Sequence, residues 1–158
     1  MDFDSAFTKL LGHEGGYVCH KDDPAGETCW GISKRSYPHE DIKNLTQERA
    51  KQIYKRDFWG PAGCETVPMP LRFDLFDTAV NSGAKVAIRL LQRAAGMPTE
   101  EQDGVIGLKT AMAVGQLNPY RLLARFNGHR LALMAGLPTW PSFGKGWARR
   151  IAENLQGS

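Results

Sequence analysis

Apolar residues recur at helical spacing from the start of the chain. Phe3, Phe7, Leu10 and Leu11 fall on one face of a helix, with Asp4 or Ser5 as its expected cap and Gly15-Gly16 as its end. Glu14 prolongs that face, three residues after Leu11, four after Leu10 and seven after Phe7. The spacing predicts a carboxyl that points inward, toward the core or a cleft cut into it. A lone ionised carboxylate there is costly, so burial raises its pKa. An acid still protonated near neutral pH is what general-acid catalysis needs. On position alone, a solvated or capping glutamate stays an open alternative.

The pattern changes over residues 17–33. Short segments Tyr17-Val18-Cys19 and Thr28-Cys29-Trp30-Gly31-Ile32 flank a strong turn signal, Asp22-Asp23-Pro24-Ala25-Gly26, which predicts a small β-hairpin or irregular loop. Helical periodicity then returns. Residues 46–58 are amphipathic through Ala50, Ile53, Tyr54 and Phe58. Residues 71–81 bury Leu71, Leu75 and Ala79, and residues 84–95 bury Val86, Leu90, Leu91 and Ala94. A short helix is expected near 109–116. Asn118-Pro119 reads as an N-cap and N1 pair opening a longer helix to about Ala135. Ser142 is the expected start of the last helix, with Trp147, Ile151 and Leu155 on its buried face. The fold class is therefore α+β, mainly α, with one small β-element near the N-terminus. There is no fixed-period repeat and no linker, which favours one globule over residues 1–158.

Composition narrows the class. The chain has 158 residues, 42% hydrophobic and 23% charged, ordinary for a globular protein. No apolar run approaches the ~20 residues of a membrane span. Met1-Asp2-Phe3-Asp4 lacks the basic and apolar regions of a signal peptide, so synthesis in a cytoplasm is expected, with separate delivery to any outside target. Cys19, Cys29 and Cys64 form no CxxC pair, and buried free thiols are expected, with a Cys19–Cys29 bridge as the alternative. His13, His20, His39 and His129 show no ligand spacing, so neither a metal nor another cofactor is expected. Residues 1–84 carry 10 Lys/Arg against 13 Asp/Glu, a net −3, whereas residues 85–158 carry 10 against 4, a net +6. A basic second half suits an anionic polymer such as a nucleic acid, lipid head groups or bacterial wall polymers. No groove-reading helix or stacking motif supports nucleic acid. Solvated helix faces account for the charge equally well.

Glycoside hydrolysis needs an acid for the leaving oxygen and a carboxylate, or water held by one, on the other face of the sugar. Glu14 followed by Asp22, Asp23 and Thr28 supplies such a set, with Thr28 placed to hold water. Tyr17, Trp30 and Asn81 are the candidates for sugar contact; a core role for Trp30 and a helix-capping role for Asn81 remain open.

These residues carry a resemblance. Glu14-Gly15-Gly16-Tyr17-Val18, Asp22-Asp23-Pro24-Ala25-Gly26-Glu27-Thr28 and Trp30-Gly31-Ile32-Ser33 resemble the signature of the glycoside hydrolase 108 family, phage endolysins and bacterial N-acetylmuramidases. Asp57-Phe58-Trp59, residues 76–83, Asp103-Gly104-Val105-Ile106-Gly107 and Phe143-Gly144-Lys145-Gly146-Trp147 continue it. The resemblance implies a lysozyme-like fold, with the small hairpin beside an active-site cleft. It implies cleavage of the β-1,4 bond between N-acetylmuramic acid and N-acetylglucosamine, with Glu14 as the acid. It also implies a catalytic part over 1–84 and a basic peptidoglycan-binding part over 85–158. The expected partners are bacterial peptidoglycan and, through the basic half, anionic wall polymers or lipopolysaccharide. A monomer released to the wall, through a holin if the source is a phage, completes the expectation. Eight residues separate Glu14 from Asp23 and four separate Asp23 from Thr28, where phage lysozymes often have five. Retaining or inverting chemistry, and the choice between Asp22 and Asp23, stay open. A lytic transglycosylase, or a wall-binding or secretion-assisting protein without catalysis, are the rival readings.

Overall fold

The structure, a computed structural model, describes residues 1–13, 18–19 and 26–157. Glu14, Tyr17, Asp22 and Asp23 lie outside the described residues, as do the glycine pair and the turn at 22–25. Packing divides the chain into two units, residues 2–57, and residues 58–158 with Met1.

In the first unit, α1 spans Phe3–His13. Its cap is Asp2, not Asp4 or Ser5: Asp2 Oδ1 accepts the Ser5 amide at 2.8 Å, the N-cap reach of three residues. Asp4 falls in the first turn instead and pairs with Lys51 at 3.0 Å. Phe3, Phe7 and Leu10 are buried as the pattern predicts. The helix α2, Gln47–Tyr54, is capped by Thr46, whose Oγ1 accepts the Arg49 amide at 3.1 Å. It buries Ala50, Ile53 and Tyr54, and the Tyr54 ring packs 5.6 Å from that of Phe7. The predicted helix over 46–58 does not stay α to its end; Lys55–Trp59 winds as a π-helical turn through which the chain leaves this unit.

Three short strands form an antiparallel sheet in the order β1-β2-β3: Val18–Cys19, Glu27–Cys29 and Ile32–Ser33. Thr28 sits opposite both Val18 and Ser33. The segment 28–32, read from sequence as one piece, is folded on itself. Cys29 pairs with Ile32, and Trp30 and Gly31 turn the chain with φ of +53° and +77°. Two residues with positive φ match the right-handed strand twist of a tight hairpin. Cys29 and Ile32 are buried beneath the sheet, and Cys29 and Cys64 are both free thiols.

The second unit is helical. It contains α3 (Met69–Ser82), α4 (Ala84–Ala94), α5 (Leu108–Gly115), α6 (Pro119–Ala135) and α7 (Trp140–Gln156). The helix α3 packs on α4 and α6, and α6 packs on α4 and α7. Asn118 caps α6 as expected, its Oδ1 accepting the Tyr120 and Arg121 amides at 3.0 and 3.1 Å. The last helix starts at Trp140, two residues before the expected Ser142. Its buried positions are Gly144, Ile151 and Asn154, and Leu155 is 42% exposed. The predicted 147/151/155 stripe is thus rotated, because the inward face follows Asn154 toward a buried carboxylate on α3.

That carboxylate is Asp77. The sequence pattern presents α3 as an amphipathic helix, but Phe73, Asp74, Leu75, Phe76, Asp77 and Thr78 are all buried. Asp77 Oδ2 lies 2.7 Å from Arg130 Nη2 of α6, and Arg150 of α7 donates to Oδ1 through both Nε, at 2.9 Å, and Nη2. Asn154 donates to Oδ2 at 3.3 Å. One turn earlier, Asp74 Oδ1 accepts from Asn127 of α6 at 2.9 Å. A second polar knot closes the loop before α5. The buried Gln92 amide donates to Asp103 at 2.8 Å, to the Val105 carbonyl at 3.0 Å and to Thr110 at 3.1 Å, and its oxygen accepts the Gly104 amide at 2.9 Å. Gly104 has φ +79°, and a Cβ there would stand 2.6 Å from Lys85 Cγ and 3.0 Å from the Lys85 carbonyl oxygen.

Candidate active site

The tight hairpin between β2 and β3 carries two of the sequence candidates, Thr28 and Trp30. Thr28 is half-buried at the centre of the sheet. Trp30 holds the left-handed conformation that a bulky side chain rarely adopts and that glycine would take without strain. Its surroundings fix it there. The indole Nε1–H donates to the Leu45 carbonyl at 2.9 Å, and the Trp30 carbonyl accepts from the hydroxyl of buried Tyr54 at 3.1 Å. Cys29 Sγ reaches the same Leu45 carbonyl at 3.7 Å, and burial raises its thiol pKa, so it is held as a thiol. The indole is therefore tied at its nitrogen and at its own backbone, with the ring left half-buried. A strained conformation that the surroundings over-determine is the kind of geometry found at ligand clamps.

Sequence reasoning did not single out a second polar cluster in this unit. Asp57 accepts the Tyr37 hydroxyl at 3.0 Å and two hydrogen bonds from Arg56, at 2.6 and 2.7 Å. The Arg56 contacts, with Tyr37 adding to them, hold the Asp57 carboxyl below its usual range against the opposing effect of burial. Burial, the hydrogen bond to Asp57 and its charge push the Tyr37 phenol up to about 12. Tyr37 is thus a fixed donor at neutral pH. Its sequence signal was weak, a tyrosine and an aspartate 20 residues apart.

Asn81 lies in the other unit, in the last turn of α3, where its Nδ2 donates to the Asp77 carbonyl at 2.9 Å. This is a back-bond within α3, whose C-cap is Gly83, so Asn81 does not cap the helix. Among the described residues no group of three His, Cys, Asp or Glu side chains is placed to hold a metal ion. No described helix is long and apolar enough to cross a membrane.

The family model for glycosyl hydrolase 108 matches residues 7–83. That span contains all seven site candidates, from Glu14 to Asn81. Among solved structures the chain is similar to SagA of Brucella abortus, with 33% sequence identity and a TM-score of 0.86. The similarity covers 98% of this chain and 91% of that one. No curated protein matches the chain.

Proposed function

We propose, from the premise that this chain belongs to the glycosyl hydrolase 108 family, that it is a peptidoglycan hydrolase cutting the β-1,4 bond between N-acetylmuramic acid and N-acetylglucosamine. The lysozyme-like class expected from the resemblance, α+β and mainly helical with a small sheet, is the one observed, and glycoside hydrolase activity follows from the family. The bond and the residue roles are the proposal. The observation that carries it is the family match over residues 7–83, within which every assigned residue falls.

Glu14 protonates the glycosidic oxygen as the bond to the anomeric carbon breaks. Asp22 or Asp23 supports the other face of the sugar, directly or through a water that Thr28 helps to hold. The oxocarbenium-like charge that develops needs a nearby carboxylate and a stationary ring. Trp30 suits the second need. Its indole is locked by Leu45 and Tyr54, so stacking a sugar on it costs little ordering entropy. Tyr17 and Asn81 are assigned as further sugar contacts.

The test is the product. Hydrolysis leaves a reducing N-acetylmuramic acid, whereas a lytic transglycosylase leaves a 1,6-anhydro end without adding water. Purified sacculi treated with the wild type and with Glu14→Gln, analysed by mass spectrometry, separate the two chemistries. They also separate both from wall binding without catalysis, for which neither protein would release fragments.

A further inference from the structure

The helix α2 grips one residue of the small sheet from both of its ends. At its entry, the carbonyl of Leu45, just ahead of the Thr46 cap, accepts the Trp30 indole N–H at 2.9 Å. At its exit, Tyr54, the last residue of α2, donates its hydroxyl to the Trp30 backbone carbonyl at 3.1 Å. The two bonds act on different parts of Trp30. Leu45 orients the ring. Tyr54 holds the backbone of a residue at φ +53°, where a bulky side chain is strained. Gly31, the other turn residue, takes φ +77° without strain because it has no Cβ. The strain of the turn is thus confined to Trp30, and the Tyr54 hydroxyl is bonded at that residue. A strained backbone persists only where its surroundings over-determine it.

Tyr54 has a second contact. Its side chain is buried, with the ring 5.6 Å from that of Phe7 on α1. In the chain, α1 ends at His13, the residue before Glu14. One side chain therefore joins the helix that leads toward the proposed acid to the turn that presents the proposed sugar platform. Core packing against Phe7 needs only the ring, and phenylalanine would supply it. A buried phenol must also find a hydrogen-bond partner, and here the partner is the carbonyl of a site residue.

We propose that Tyr54 is a positioning residue for substrate binding: its hydroxyl holds Trp30 in the left-handed turn that presents the indole to the sugar, while its ring seats that turn against α1. The inference deepens the proposed function and rests on Trp30 being the sugar platform there. Tyr54 touches no sugar itself, so its effect passes wholly through Trp30.

The test is steady-state kinetics of the full chain on soluble peptidoglycan fragments. Tyr54→Phe keeps the ring against Phe7 and removes the hydroxyl alone. KM is expected to rise about two- to tenfold, the loss of one neutral hydrogen bond, with kcat changed less than about twofold. Trp30→Gly removes platform and strain together. Added to it, Tyr54→Phe should change KM no further, because the hydroxyl acts through Trp30. In solution NMR the Trp30 indole N–H resonance, identified by its disappearance in Trp30→Gly, should shift and broaden in Tyr54→Phe. An unchanged KM in Tyr54→Phe overturns the proposal and leaves the hydroxyl a core group. An equal rise in KM in both backgrounds overturns it as well, since the hydroxyl would then act other than through Trp30. A wild type that cuts no fragments strikes the proposed function instead. In that event an unmoved indole resonance in Tyr54→Phe overturns the positioning role, and a shifted one upholds it.

Discussion

Replacing Asp77 by Asn should unfold the helical unit more readily than any surface change. The carboxylate is fully buried between α3, α6 and α7, and Arg130, itself 1% exposed, has no other ionic partner among the described residues. Asn preserves the shape but removes the charge. Arg130 is then left ionised in the interior, and Arg150 and Asn154 lose their shared acceptor. Removing one member of a buried pair costs about 3–5 kcal/mol, most of it the uncompensated charge left behind. For a chain of this size each kcal/mol lowers Tm by about 2–4 °C, so the expected fall is about 6–20 °C. Circular dichroism melting at neutral pH measures it. The double variant Asp77→Leu with Arg130→Met should recover much of the loss, since a packed apolar pair can replace a buried ion pair. Acid gives an independent check. Burial alone would raise the Asp77 carboxyl, but Arg130 and Arg150 outweigh it and hold the pKa below its ordinary value. Its contribution is therefore present above the unfolded carboxylate pKa, about 3.9, and is lost as pH falls below that toward the folded value. Wild type should lose stability in that acid range, and Asp77→Asn should lose less. A neutral-pH Tm within about 2 °C of wild type, with an unchanged acid profile, would refute the reasoning.

Other outcomes follow from single contacts. Trp30→Ala should raise KM for wall fragments more than it lowers kcat, because the ring is assigned to holding the sugar; an unchanged KM in steady-state kinetics would remove Trp30 from the site. Gln92→Leu leaves the buried Gly104 amide without its acceptor at 2.9 Å. It should cost about 1–3 kcal/mol for that unpaired group, with faster hydrogen exchange at Gly104 and Val105. Gly144→Ala should tip the Trp140 ring off the helix, seen as a shifted and broadened tryptophan emission.

Much of the fold was legible because α-helical burial writes itself as a period. Phe3, Phe7 and Leu10 and the Asn118 cap followed from spacing and cap chemistry alone. The misreadings have physical causes. Asp2, Asp4 and Ser5 are all capping residues, and only the register of the first apolar residues decides which one caps. The hairpin turn at Trp30-Gly31 was hidden because tryptophan is not a residue that propensity places at positive φ; the tertiary bonds from Leu45 and Tyr54 impose it. On α7, Ile151 is buried as expected, but Asn154 replaces Leu155 on the inward face because the draw there is polar, Asn154 and Arg150 reaching Asp77 over more than 70 residues of sequence. Asp74 and Asp77, set among the apolar residues Leu71, Phe73, Leu75, Phe76 and Ala79, were the available signal for that knot. Of the candidate site, Thr28 and Trp30 fall together on one small sheet, as the segment 17–33 suggested, while Asn81 was legible only as the end of a helix. The carboxylates fall outside the described residues, and their roles rest on sequence and family.

The most direct measurement is the chemistry of the ends released from purified sacculi. The account predicts muropeptides ending in reducing N-acetylmuramic acid from the wild type, and a loss of at least about a hundredfold in their rate of appearance with Glu14→Gln, the scale of a missing general acid. Anhydro-muramyl ends, or equal release by the Glu14→Gln variant, would contradict it.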